Sequence, residues 1–254
     1  MAISIYNDFS DYMMYKGIKN VEKIEFKYEN IAETITEKKI IEQFRVIHEV
    51  HEKSIGFNGY LRNRLNNNTG KTIEAYKISI KKLSSDINSI NENGPKNSFE
   101  ELIVKYGSGV ITKGKAAIVA ACGTDYLEII TRSMRRGEIC LGNTDFQNLR
   151  KNEFIEVVSF ASCCYNMVEI DCFLLLSKLK RKGLKVDFRK MADEFCLIEG
   201  LGNSSSKFLL ALMSYPHEFM KCCNRYRAGT RLWHEDRFSQ KLIKALIQDG
   251  DSLI

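Results

Sequence analysis

The chain has 254 residues, enough for one domain or for one domain and a small appendage, and its 44% apolar share supplies a packed core and sets disorder aside. The net charge of +6, from 38 basic and 32 acidic residues, permits an anionic partner without demanding one. No run of 18 uninterrupted apolar residues occurs, so no membrane span is expected, and the N-terminus MAISIYNDFSDYMMYKG has acids and no basic region, so it is not read as a signal peptide.

Proline occurs only at Pro95 and Pro216, so long helices are expected. Residues 21–28, VEKIEFKY, read as one strand or the start of a connector. Residues 31–54 place Ile40, Ile41, Phe44, Ile47 and Val50 near helical spacing. GFNGYLRNRLNNNTG then reads as a loop rich in Gly and Asn. A second amphipathic helix covers 71–90 with Ile73, Tyr76, Ile80 and Leu83 on one face. Ser98, with Glu101 three residues on, is placed to cap a third, and a further helical run is expected over 108–136. EICL (138–141) and FIEVVSF (154–160) read as short strands around a turn-rich loop. Helices are expected again near 165–181, 187–198, 204–214, 216–228 and 235–248, giving a mainly α chain with one small β element.

The turn-rich loop, LGNTDFQN (141–148), has the spacing of a phosphotransferase catalytic loop. Phosphoryl transfer needs a carboxylate to orient the attacking hydroxyl, an Asn five residues later on the metal, and a second carboxylate on the next strand. Such a loop reads HGDxxxxN, followed by a strand ending IDFD or IDWE. Here Leu141 stands for the His, Gly142 and Asn148 match, and Asn143 stands for the catalytic Asp. In VSFA (158–161), Ser159 and Ala161 stand for the two acids. An amide has no usable proton-accepting pKa near neutrality, and Ser is a weak ligand for a hard dication. Asp145 lies two residues beyond Asn143, roughly 6–7 Å away in an extended loop and outside general-base reach.

Other constellations are weaker. HEVHE (48–52) places His48 and His51 three apart and is not HExxH, so no metal site is expected. The eight cysteines include no CxxC and sit mostly among apolar neighbours, as a reduced protein's would. Gly200 and Gly202 are too few for a phosphate-binding fingerprint, and no GxSxG elbow accompanies Ser204–Ser206 and His217. Arg132, Arg135, Arg136, Lys178, Lys180, Arg181 and Lys182 form two basic runs, read as solvated helix ends with a polyanion patch as the alternative. The runs RSMRR (132–136) and KLKRKGLKVDFRK (178–190) in which they lie offer only Phe188 for stacking, which argues against nucleic acid.

Four stretches together resemble the CotS-type bacterial spore coat proteins, a branch of the aminoglycoside/choline phosphotransferase superfamily with the protein kinase-like fold. HEKSIGF (51–57) is similar to that family's FHxASKGY element at His51, Ser54, Gly56 and Phe57. YLEIITRSMRRGEICLGNTDFQNL (126–149) is similar to its approach to the catalytic loop. VVSFASCCYNMVEIDCFLL (157–175) runs against VIDFDYCKYDxxxYDLxxFL, holding Phe160, Cys163, Tyr165 and Asp171. LMSYPHEFMKCCNRYRAGTRLW (212–233) keeps Pro216, Phe219, Lys221, Asn224, Tyr226 and Trp233 in register. The resemblance implies a kinase-like C-terminal lobe over 41–254, with 1–40 a remnant or replacement of the N-lobe. Those 40 residues contain no Gly-rich loop and no VxxK strand.

The resemblance also makes His51 and Asp171 structural braces of the loop. With its departures at Asn143, Ser159 and Ala161, it implies a protein that is not an enzyme and uses no cofactor. The expectation is a pseudokinase acting as a structural or interaction component of the spore coat, cytoplasmic at synthesis, with other coat proteins as partners. A small-molecule phosphotransferase with relocated acids (Asp145 or Asp171) and a basic polyanion-binding module are the alternatives.

Overall fold

The computed structural model describes residues 5–57, 59–123, 125–229 and 235–254. In chain order the elements are β1 (Ile5–Tyr6), α1 (Phe9–Tyr15), β2 (Lys19–Asn20), α2 (Ile31–Thr34), α3 (Glu37–Ser54), β3 (Tyr60–Leu61), β4 (Asn66–Asn67), α4 (Lys71–Asn93), α5 (Ser98–Gly123), α6 (Tyr126–Arg136), β5 (Ile139–Cys140), β6 (Leu149–Lys151), β7 (Ile155–Val157), β8 (Cys164–Tyr165), α7 (Glu169–Arg181), α8 (Phe188–Ile198), α9 (Asn203–Ser214), α10 (His217–Arg227) and α11 (Glu235–Asp249). The fold is mainly helical with small sheets, as the periodicity indicates. No described helix is long and apolar enough to cross a membrane.

The chain divides into two compact units, Met1–Gly70 with Asp125–Leu209, and Lys71–Thr124 with Leu210–Ile254. Residues 1–40 lie inside the first unit.

In the first unit, β6 and β7 form an antiparallel hairpin, and β2 adds to β7 in parallel with Lys19 opposite Glu156. The Asn20 amide reinforces that edge by donating to the carbonyls of Val157 (3.0 Å) and Val158 (3.1 Å). A second small sheet orders β4, β8 and β5, with Cys140 opposite Cys164. Against β5 and β6 packs α3, which buries Ile40, Phe44, Ile47 and Val50, and beside α8 lies α7, which buries Cys172, Phe173, Leu175, Leu176 and Leu179. The periodic apolar residues of 31–54 do face a core, but the helix there is interrupted. Ile35 is extended, and the Thr36 side chain caps α3 by accepting from the Lys39 amide. The strand expected within 21–28 is two residues earlier, at β2, and 21–28 itself is irregular.

In the second unit, α4 buries Ile73, Tyr76, Ile80 and Leu83 as their spacing indicates and packs along α5, which buries Phe99, Ile103 and Ala117. Gly107 and Gly114 bring the two helices close: a Cβ at Gly114 would sit 2.4 Å from Ile80 Cδ1. Tyr76 and Tyr215 stack in parallel, ring centroids 3.6 Å apart. The helix start near 98 is capped by Asn97, whose side chain accepts from the Glu100 amide, and not by Ser98. The run expected over 108–136 is two helices, α5 and α6. Trp233 lies outside the described residues.

Candidate functional site

The loop 141–148 is built from behind by one carboxylate. Asp171, fully buried near the start of α7, accepts from the amides of Leu141 and Gly142, both at 2.8 Å. The backbone carbonyl of Asp171 accepts from the Thr144 hydroxyl at 3.0 Å. Gly142 sits at φ +73°, and a Cβ there would lie 2.4 Å from the Ser162 carbonyl oxygen, so only glycine fits.

Asp171 is held in turn by a buried chain of charge. His51, on α3, makes contacts of 3.0 Å from Nε2 to Asp171 and 2.7 Å from Nδ1 to Glu199, at the end of α8. His48, one turn earlier, meets the other Glu199 oxygen at 3.2 Å. Burial alone would disfavour a charged ring at His51. The carboxylates of Glu199 and Asp171 outweigh it and push the His51 pKa up to about 10. Burial likewise opposes the Glu199 carboxylate, and the charge of His51 holds its pKa down. His51 is therefore an imidazolium donating from both nitrogens, so neither nitrogen is left for a metal. The HEVHE histidines are accounted for as a brace.

The front of the loop is tied by Asn148. Its Nδ2 donates to the carbonyls of Asn143 (2.7 Å) and Ser159 (3.2 Å), and its Oδ1 accepts from the Ser159 amide at 2.9 Å. Ser159 Oγ accepts from the Ala161 amide at 3.2 Å. Gln43 of α3 donates to the carbonyls of Thr144 and Leu149, both at 2.9 Å. The Asn143 side chain is half-buried and makes no hydrogen bond among the described residues.

Asp145, the nearest acid to Asn143 in sequence, is buried and turned away. It accepts from the Gln147 amide, pairs with Lys178, and lies beside Tyr28. Burial first, and then the Asp145 charge, raise the Tyr28 pKa. The segment around Phe26 lies on this part of the loop. Phe26 stacks on Phe146 with centroids 4.9 Å apart, and its carbonyl accepts from Gln147 Nε2 at 2.9 Å.

The two basic runs serve different ends. Arg132 is a structural clamp: it forks to Glu138 (3.1 and 3.2 Å) and to Glu169 (2.9 and 2.7 Å), both carboxylates buried. Arg136 approaches the same Glu138 at 3.5 Å. Lys178 serves Asp145, and Lys178 and Lys182 both lie over the Tyr28 ring. Arg135 stays exposed on α6, and Lys180 and Arg181 lie in the last turn of α7. The sequence signal for the clamp was two acids set among apolar residues, Glu138 in EICL and Glu169 in NMVEIDCF. Glu199 and Gln43 carried no comparable signal.

In front of Ser159 opens a cleft of about 410 Å³. Its lining includes Ser159, Phe160 and Ala161 just after β7, Asp8, Ser10 and Asn20 of the N-terminal segment, and Asn63, Arg64 and Asn66. Asp8, Phe9, Ser10 and Asn20, from the first 40 residues, thus contribute walls to it.

The sequence matches no protein-family profile and no curated protein. The crystal structure of an aminoglycoside phosphotransferase from Alicyclobacillus acidocaldarius subsp. acidocaldarius DSM 446 superposes with a TM-score of 0.68 at 10% identity, over 90% of this chain. The fold is that of a kinase-like phosphotransferase. The chain spans 65% of that neighbour's length. This neighbour also corrects one expectation. The departures in the loop implied a protein that is not an enzyme, yet the fold is shared with an enzyme, so a lack of activity does not stand as a property of this chain.

Proposed function

We propose that the protein works by binding, as an interaction component of the bacterial spore coat built on a kinase-like phosphotransferase lobe. The observation that carries this reading is how the loop uses its polar groups. Asn148 and Ser159, at the two positions where a phosphotransferase holds its metal, spend their side chains on the backbone of the loop and of its neighbouring strand. Asp171, His51 and Glu199 hold the same loop from behind. Such a frame presents a fixed surface, and a preformed surface binds at low ordering cost. The coat location rests on the resemblance of the four sequence stretches. Its test is fractionation of purified spores. The protein is expected in the extracted coat, and recovery from the spore core or the mother-cell sap alone refutes the reading.

A second reading, small-molecule phosphotransfer, is favoured by the fold neighbour and by the open cleft beside Ser159. It requires magnesium-dependent release of ADP from ATP that rises when an acceptor is added and falls in Asn148→Ala. ADP release no faster than in buffer, across a panel of aminoglycosides and amino alcohols, speaks against it.

A further inference from the structure

The Asn-rich loop GFNGYLRNRLNNNTG is not explained by the brace or by the catalytic-loop frame. Its last asparagines shape the turn: Asn67 Oδ1 accepts from the Thr69 amide, and the Asn68 amide pairs with the Tyr165 carbonyl. Asn63 and Asn66 behave differently. Their side chains make no hydrogen bond to the described residues, and both line the 410 Å³ cleft in front of Ser159. Asn20, also in the lining, spends its Nδ2 on two carbonyls, and its Oδ1 makes no hydrogen bond among the described residues.

From this lining we infer that the cleft is a binding site for an uncharged carbohydrate, held without a divalent cation. This deepens the binding reading above and names the ligand class of the same site.

Two features of the lining select that class. The first is charge. Asp8 and Arg64 are the charged residues of the cleft, one of each sign. The Asp8 carboxylate is already engaged by the Ser10 hydroxyl and the Asp11 amide. A polyphosphate would meet a single guanidinium, and a hard dication would find Ser159 and Ala161 where carboxylates are needed. The second is the pairing of amides with an aromatic. Each free carboxamide offers two donors and an acceptor with two lone pairs, which matches vicinal hydroxyls that donate and accept together. Phe160, half-buried in the cleft wall, gives an apolar ring for the C–H face of a pyranose. A volume of this size accommodates one or two sugar rings.

The test is saturation-transfer NMR on the full chain, with the methyl glycosides of N-acetylglucosamine, galactose and mannose as probes. At least one is expected to receive saturation at its ring C–H protons. The signal should fall at least fivefold in Asn63→Ala/Asn66→Ala and stay unchanged on adding EDTA. Both asparagines are exposed, so the double variant keeps its fold, which its unfolding midpoint checks. No transfer to any of the three glycosides, equal transfer in the double variant, or loss of transfer with EDTA each overturns the inference. None of these outcomes alters where the protein fractionates in the spore, so the two readings fail independently.

Discussion

Gly142 is the residue on which the loop turns. Its φ of +73° and the Ser162 carbonyl 2.4 Å from a would-be Cβ leave room for no side chain. Strain of this kind costs about 1–3 kcal/mol, before any shift of the 162 backbone is counted. Gly142→Ala is therefore expected to lower the free energy of urea unfolding by at least that much, while Gly183→Ala, equally left-handed but in open space, loses only the conformational part. His51 is the second such residue. Removing it takes away the charge that pairs the buried Asp171 and Glu199, and His51→Ala should cost about 3–5 kcal/mol. The pH dependence follows from a raised pKa. The unfolded ring titrates near 6.5 and the folded ring at about 10, so the folded chain holds the proton more tightly. The stabilisation is complete below pH 6.5 and is lost as pH rises toward 10. Urea unfolding from pH 6 to 10 should show stability falling in the wild type with a slope that His51→Ala lacks.

Elements differ in how much of their position was written in local pattern. The face of α4 was legible because four apolar residues at helical spacing admit one solution. The break between α5 and α6 was not, since no proline or paired glycine marks it and both sides carry helix-forming residues. The cap of α5 was misread by one residue, Ser98 for Asn97, because both side chains can cap and only the backbone decides. The start of α10 was legible to within one residue, 216 for the observed His217, but the group that caps it was not. It is capped across the fold: Asp249, at the end of α11, accepts from the amides of Glu218 and Phe219, both at 2.9 Å. Asp249→Ala should cost about 0.5–2 kcal/mol, as for other lost caps, and should speed exchange of those two amides. Little change in either would show that α10 holds its first turn without α11.

At the scale of the whole molecule, the kinase-like fold was legible through order and spacing, and 10% identity with a structure of the same fold shows how little residue identity that takes. The frame positions Gly142, Asn148, His51 and Asp171 were named through the resemblance, whose motifs they match. The groups that connect them were not. Gln43 reaches the loop directly and Glu199 acts on it through His51, both from elements far away in sequence, and Arg132 looked like surface charge until its two buried acids were in view. Asn143 and Ser159 were read as signs of inactivity, and the shared fold corrects that inference without changing the residues. The central claim is that the loop is a fixed frame, held from behind by the His51–Asp171–Glu199 chain. Amide hydrogen exchange at Leu141 and Gly142, whose N–H groups both point at Asp171, tests it most directly. The account predicts exchange as slow as that of the central turns of α3 in the wild type, and at least tenfold faster in His51→Gln. Fast exchange in the wild type, or equal protection in the variant, would contradict it.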